Sequence, residues 1–122
     1  MIENILPPIV DGQTKVLIVG SMPGVQSLEK QQYYGNPRNH FWGIIGELTG
    51  AIVPEQYEQR LALVKKHGIG LWDVIRECER VGSLDSNIKN EIPNDFVALF
   101  EQYPQIEAVL FNGTKAHDVF KK

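Results

Sequence analysis

The sequence predicts an α/β fold built on a mainly parallel sheet. Short aliphatic runs at 15–20 and 106–111 end next to glycine or asparagine, which is typical of strands buried on both faces. Segments with apolar residues at helical spacing alternate with these runs. Such alternation favours parallel pairing through right-handed crossovers. The length of 122 residues predicts a single domain over residues 1–122.

The first half of the chain begins without a strong pattern and then becomes regular. Its predicted elements are an extended lead-in over 1–14, a strand over 15–20, a short helix over 27–32 and amphipathic helices over 38–48 and 54–67. Pro54 suits a first helical turn, and Gly68 suits the position just beyond a helix end.

The second half continues the alternation of strand and helix. Its predicted elements are a strand over 68–75 that ends near Asp73, a polar loop over 82–93, a helix over 94–103, a strand over 106–111 and a last helix capped by Thr114. In a parallel sheet the working loops lie beyond the carboxyl ends of the strands. We therefore expect residues 20–24, Asp73 and residues 112–113 to share one rim.

Composition restricts the functional classes. Lys and Arg number 12 against 15 Asp and Glu, so the net charge of −3 predicts no strong global attraction to nucleic acid. A DNA contact would need a local basic patch. The lone Cys78 excludes a disulfide framework and a Cys-rich zinc site. It lies in the charged stretch 76–80, which resembles a surface segment, so we do not expect it to be a nucleophile.

The remaining composition signals point to a cytoplasmic protein. The N-terminus lacks the basic start of a signal peptide, and the longest aliphatic run is too short to cross a bilayer. No membrane partner is expected. The three histidines show no metal-site spacing, so neither a metal nor a cofactor is predicted.

Two loops are candidates for a functional role. The loop at 20–24, Gly-Ser-Met-Pro-Gly, is either a tight turn or a place where backbone N–H groups approach a ligand, and it matches no phosphate-binding or dinucleotide motif. Tyr33 and Tyr34 lie in a stretch broken by glycine and proline, where core packing is less expected and stacking on a flat base is an alternative.

Three polar residues each allow two interpretations. Arg38 could hold a phosphate or simply be solvated. Asn39, taken by itself, favours helix capping over catalysis. Asp73 could be a partly buried hydrogen-bonding group or a cap for the segment that follows it.

A long pattern joins these loops. Residues 20–24 are followed by Ser27 and Leu28 and then by Tyr-Tyr-Gly-Asn-Pro-Arg-Asn-His-Phe-Trp at 33–42. This combination resembles the uracil-DNA glycosylase superfamily, and within it the hypoxanthine-DNA glycosylase branch. The later segments 68–73 and 109–116 follow in the family's order, so the resemblance covers nearly the whole chain.

The resemblance implies a three-layer α/β/α enzyme that hydrolyses the N-glycosidic bond of a deaminated base flipped out of DNA. Hypoxanthine is the favoured base and uracil the alternative. Asn39 would be catalytic, because it matches the asparagine of the family's Pro-Arg-Asn string. The other implied site residues are Tyr34, Asp73, Gly20, Ser21, Met22, Pro23 and Gly24 for the base, and Arg38 and Lys115 for DNA phosphates.

Two departures from the family pattern bear on activity. Asn36 stands where relatives usually carry histidine. The family also continues beyond residues 112–116 with another strand and a DNA-gripping loop, whereas this sequence ends at Lys122. The resemblance thus predicts a sheet that is incomplete at the C-terminus, with an open edge through which copies could associate.

Three hypotheses remain open at this point. The first is an active repair glycosylase. The second is a truncated or remnant DNA-binding module of the same fold, with impaired catalysis. The third is an unrelated small α/β enzyme whose 20–24 loop binds a phosphorylated metabolite.

Overall fold

The computed structural model describes residues 1–121. Within them the chain forms β1 (Ile2–Glu3), β2 (Val16–Gly20), α1 (Val25–Lys30), α2 (Phe41–Thr49), α3 (Tyr57–Lys66), β3 (Ile69–Asp73), β4 (Ile75–Glu79), a 3-10 turn (Asp85–Asn87), β5 (Lys89–Pro93), α4 (Phe96–Gln102), β6 (Ala108–Phe111) and α5 (Thr114–Phe120). This order confirms the α/β class.

The parallel sheet has the strand order β3-β2-β6. The central strand pairs in register with both neighbours, so that Gly20 lies opposite Asp73 and Val19 opposite Phe111. An isolated antiparallel bridge joins Ile9 to Leu71 on the outer side of β3. Within residues 1–121, β6 has a single strand neighbour, and its other side is open.

Helices cover both faces of this sheet, as the three-layer prediction requires. Side chains of α2 and α3 form one core cluster with Ile18 and Leu71. Side chains of α4 and α5 form a second cluster with Leu17 and Val19. Because successive strand residues point to opposite faces, a continuous aliphatic strand supplies both cores.

A second, antiparallel sheet with the order β1-β4-β5 was not predicted. It shows that two expectations were wrong: residues 82–93 are not wholly a loop, and residues 76–80 are not a surface segment. Cys78 has no exposed surface and belongs to the core. The irregular pattern of β4 explains the error. Two charged residues, Arg76 and Glu77, separate the buried Ile75 and Cys78, and the register shifts along the strand.

The helix ends also differ from their predicted positions. The second helix begins at Phe41 rather than at residue 38, because Asn36 and Asn39 each accept a backbone N–H two residues ahead and form turns. Pro54 lies outside α3, which begins at Tyr57. Thr114 is the first residue of α5, not its cap.

Tyr33 corrects a further expectation, because it is a core residue. Its side chain is 2% exposed, and its hydroxyl donates to the carbonyl oxygen of Pro7 at 2.6 Å. A buried tyrosine is acceptable where its hydroxyl finds a partner. Among residues 1–121 no helix has the length and apolar character needed to span a membrane.

Candidate active site

A cavity of about 350 Å³ lies at the rim where the parallel strands end. Gly20 closes β2 and Asp73 closes β3, and Asn112 and Gly113 follow β6. All four residues line the cavity. The expected convergence of these three segments is therefore present in the structure. A cavity of this size is typical of a site for one small ligand.

The loop after β2 forms one wall of the cavity, and hydrogen bonds to residues distant in sequence hold it in place. The hydroxyl of Ser21 donates to Asp85 Oδ1 at 2.7 Å. The guanidinium of the buried Arg80 donates to the carbonyl oxygen of Pro23 at 2.8 Å. Met22 is 6% exposed and packs into the core, so it reaches the cavity only in part. The wall is thus fixed before any ligand binds.

Gly20 has no space for a side chain. A Cβ added there would lie 2.7 Å from Asp73 Oδ1 and 3.3 Å from the Tyr34 hydroxyl. The two polar atoms therefore converge on the backbone of Gly20. This close approach is the physical reason for glycine at the position, because its backbone carries no left-handed φ.

Asp73 is a buried carboxylic acid with amide partners. Its side chain is 4% exposed, and Asn4 Nδ2 donates to its Oδ2 at 3.0 Å. Burial raises the pKa of Asp73 to about 7, although the bond from Asn4 lowers it, and nearby Asp85 raises it further. The group is thus able to carry or release a proton near neutral pH.

Tyr34 presents an aromatic ring to the cavity. The ring stacks on Phe41, with centroids 3.7 Å apart and an interplanar angle of 14°. Its hydroxyl accepts from Asn112 Nδ2 at 3.2 Å. Burial raises the pKa of this hydroxyl, which therefore keeps its proton. Tyr34 has a positive φ of 55°, a strained conformation that is common at functional sites.

Asn39 lines the same cavity as Gly20, Tyr34 and Asp73. Its Oδ1 accepts the backbone N–H of Phe41 at 2.8 Å. This is a turn bond just before α2, whose cap residue is His40 rather than Asn39 as the residue alone suggested. A carbonyl oxygen has two lone pairs, and one remains for a second donor. The turn bond and a role in the cavity are therefore compatible.

The predicted cations are not brought together at this cavity. Arg38 is exposed and lines a neighbouring groove between α2 and β6. Lys115 instead contacts Glu91, with Nζ and Oε1 3.4 Å apart, because α5 packs its first turn towards β5. Neither of the two predicted phosphate contacts lines the cavity.

Three cavity neighbours have no local signal in the sequence. Ser83 and Asp85 come from the loop before β5 and line the cavity, and Asn4 reaches Asp73 from the N-terminal segment. Only the tertiary fold brings them there. Among residues 1–121 no cluster of three or more His, Cys, Asp or Glu side chains is arranged to hold a metal ion.

The fold and cavity define an α/β protein with a cavity lined by polar and aromatic residues at the carboxyl ends of its parallel strands. Residues 7–122 match the model of the uracil DNA glycosylase superfamily. The chain is 44% identical over 117 residues to a hypoxanthine DNA glycosylase of Methanosarcina acetivorans, covering 95% of this chain and 74% of the relative. It is 43% identical over 111 residues to the Methanosarcina barkeri enzyme of that name, covering 90% and 70%.

A solved structure is similar over the same extent. It is the solution NMR structure of a candidate uracil DNA glycosylase from Methanosarcina acetivorans, with a TM-score of 0.87 and 43% identity, covering 99% of this chain and 76% of that one. The chain belongs to the uracil DNA glycosylase superfamily. It is therefore a DNA glycosylase, and DNA is its substrate.

Proposed function

We propose that the protein removes hypoxanthine from DNA as a single domain, with Asn39 holding the attacking water. The observation that carries the proposal is that Asn39, Tyr34 and Asp73 line one cavity. Two relatives at 44% and 43% identity bear the name hypoxanthine DNA glycosylase. Uracil is the second candidate base, because its imide edge offers the same N–H and carbonyl groups.

The target base would leave the duplex stack and enter the cavity. Phe41 already covers one face of Tyr34, so the ring is fixed as a platform on which the base stacks. Asp73 Oδ1 would accept the N–H of the base's imide edge. The backbone of the Gly20–Gly24 wall allows the base to approach closely because Gly20 has no side chain.

The chemistry needs little activation of the nucleophile. Bond cleavage passes through an oxocarbenium-like sugar, so orientation of water and stabilisation of the leaving base supply most of the rate. The free lone pair of Asn39 Oδ1 would accept a hydrogen bond from the water. The water oxygen bonds to the anomeric carbon as the C–N bond breaks. The base leaves with the electron pair of that bond, and the proton that the water loses ends on the base.

Arg38 is our candidate for a phosphate contact, since its exposed side chain lies next to Asn39 in sequence. Lys115 is the weaker candidate because Glu91 already pairs with it.

We also propose that two copies associate through the open edge of β6. Exposed apolar side chains flank that edge, with Leu110 at 53%, Leu48 at 70% and Ile44 at 52% exposure. Unpaired strand edges recruit further strands. Sedimentation of wild type and Leu110→Glu tests this proposal, with Val97→Glu as a control on an exposed residue of α4. A concentration-independent monomer in all three proteins would contradict it.

The test of function is cleavage of oligonucleotides that contain deoxyinosine or deoxyuridine. Asn39→Ala should lower kcat by about 10²- to 10³-fold, as expected for loss of an orienting group, while DNA binding persists. Asp11→Ala is the control, because Asp11 Oδ1 makes the same type of turn bond to the N–H of Gln13, at 2.9 Å, outside the cavity. Undiminished turnover in Asn39→Ala would refute the assignment, and DNA binding without cleavage by the wild type would favour the impaired module.

A further inference from the structure

Asn4 reaches Asp73 from the N-terminal segment and is held by hydrogen bonds on both sides of its amide. Its backbone N–H donates to the carbonyl oxygen of Arg76 at 2.8 Å, which continues the pairing of β1 with β4. Its Oδ1 accepts the backbone N–H of Leu6 at 3.1 Å. With the oxygen fixed in this way, the NH₂ group must face the other side, where it donates to Asp73 Oδ2 at 3.0 Å and to the carbonyl oxygen of Ile75 at 3.1 Å.

This arrangement distinguishes the two oxygens of Asp73. Oδ2 is occupied by the Asn4 amide. Oδ1 lies on the side of Gly20 and the Tyr34 hydroxyl, at 2.7 Å from the position of a Cβ on Gly20. Since Asn4 offers only a donor, it favours the carboxylate form of Asp73 and leaves Oδ1 as an acceptor for a ligand.

No other charged or titratable neighbour named here favours the ionised form of Asp73. Asp85, from the 3-10 turn, raises the pKa of Asp73. Burial, with a smaller contribution from Asp73, raises the pKa values of Tyr33, Tyr34 and Tyr57, so these phenols stay neutral beside the carboxyl group. Asn4 is thus the named neighbour that favours the ionised carboxylate.

We propose that Asn4 is a positioning residue that selects deaminated bases by fixing Asp73 as a hydrogen-bond acceptor. This inference rests on the proposed glycosylase function. Hypoxanthine carries an N–H at N1 of its lactam edge, where adenine carries a bare ring nitrogen. An acceptor held at Oδ1 bonds to the first and repels the second. Specificity built on an obligatory hydrogen bond is strong because the mismatched base leaves a buried group unpaired.

A second asparagine that contacts Asp73 provides a matched control. Asn94 Nδ2 donates to the backbone carbonyl oxygen of Asp73 at 2.8 Å, so Asn94→Ala loosens the end of β3 without touching the carboxyl group. Asn4→Ala removes the bond to Oδ2. Asn4→Asp is nearly isosteric, keeps an oxygen for Leu6, and replaces the donor with an acceptor.

The experiment measures the pH profile of kcat/KM on deoxyinosine substrates together with cleavage of matched adenine substrates. Asn4→Ala should move the acidic limb of the profile to higher pH by about half a unit or more, and Asn4→Asp by more than Asn4→Ala. The ratio of kcat/KM for the deoxyinosine substrate to kcat/KM for the matched adenine substrate should fall in both variants. Asn94→Ala should leave the position of the limb unchanged.

A carbon-13 NMR titration of the Asp73 carboxyl reports the same shifts without turnover and shows that each variant is folded. An unshifted midpoint in both Asn4 variants, or an equal shift in Asn94→Ala, would overturn the inference even if the wild type cleaves deoxyinosine. A wild type that does not cleave deoxyinosine would instead refute the proposed function, while the titration would still decide the role of Asn4.

Discussion

Asp73 shows how a single residue combines a cost in stability with a position in the candidate site. Its carboxyl group is 4% exposed, and the salt bridges among residues 1–121 do not include it. Burying a charge without an ionic partner is expensive, so the group shifts its pKa instead. In the unfolded chain it would titrate near 3.8, against about 7 in the folded protein.

This shift predicts a stability that falls as pH rises. Between about pH 4 and pH 7 the folded protein retains a proton that the unfolded chain has released, so the free energy of unfolding decreases across that window. Asp73→Asn removes this contribution and should stabilise the protein above pH 7, by up to the order of 4 kcal/mol for a shift of about three pKa units.

Urea unfolding at several pH values measures the effect. The control is Asp118→Asn, at a side chain that is 50% exposed, and its stability curve should run parallel to that of the wild type. If Asp73→Asn also ran parallel to the wild type between pH 4 and pH 7, the buried carboxyl would not be the source of the pH dependence.

At the scale of elements, α2 shows why two glycines in one helix are not equivalent. A Cβ on Gly43 would have no heavy atom within 4 Å, whereas a Cβ on Gly46 would lie 2.7 Å from Val53 Cγ2 and 3.3 Å from the carbonyl oxygen of Ala51. Gly46 therefore lets the segment after α2 fold back closely against the helix.

Two substitutions in this helix should have opposite signs. Gly43→Ala should raise the free energy of unfolding by about 0.5–1 kcal/mol, because alanine restricts the unfolded chain and favours helix. Gly46→Ala should lower it by about 1–3 kcal/mol through overpacking. Thermal unfolding of the two variants tests this prediction. If both variants were more stable than the wild type, Val53 would have moved to accommodate the new Cβ without loss of stability.

The elements also show what local patterns were able to predict. The strand at Val16–Gly20 was predictable because both of its faces are buried and its residues are aliphatic. The hairpin of β4 and β5 was not, since β4 lacks a regular alternation of buried and exposed residues and β5 is largely polar. The burial of Tyr33 was missed because it depends on a hydroxyl partner 26 residues away, at Pro7.

At the scale of the whole molecule, the cavity depends on contacts between distant parts of the sequence. The bond from Asn4 to Asp73 spans 69 residues and that from Ser21 to Asp85 spans 64. A rim of parallel strand ends follows from topology, which is why Gly20 and Asp73 were predictable neighbours. Partners such as Asn4 lie beside the second sheet, which the sequence pattern did not indicate.

Overall charge sets the last prediction. With a net charge of −3, DNA binding must rely on few cations, so the salt dependence of affinity should be modest. Arg38→Ala should weaken binding to all sequences and reduce the slope of log affinity against log salt by about one. Lys115→Ala should change the slope little because Glu91 already neutralises that ammonium. Titrations at several salt concentrations measure both, and the reverse order would identify Lys115 as the phosphate contact.

The complete enclosure of Cys78 has a practical consequence. It is the sole cysteine of the chain and has no exposed surface, and burial raises the pKa of its thiol. A thiol-reactive dye therefore labels the protein only during excursions in which the core opens. The labelling rate therefore measures how often the core opens, and no engineered cysteine is needed.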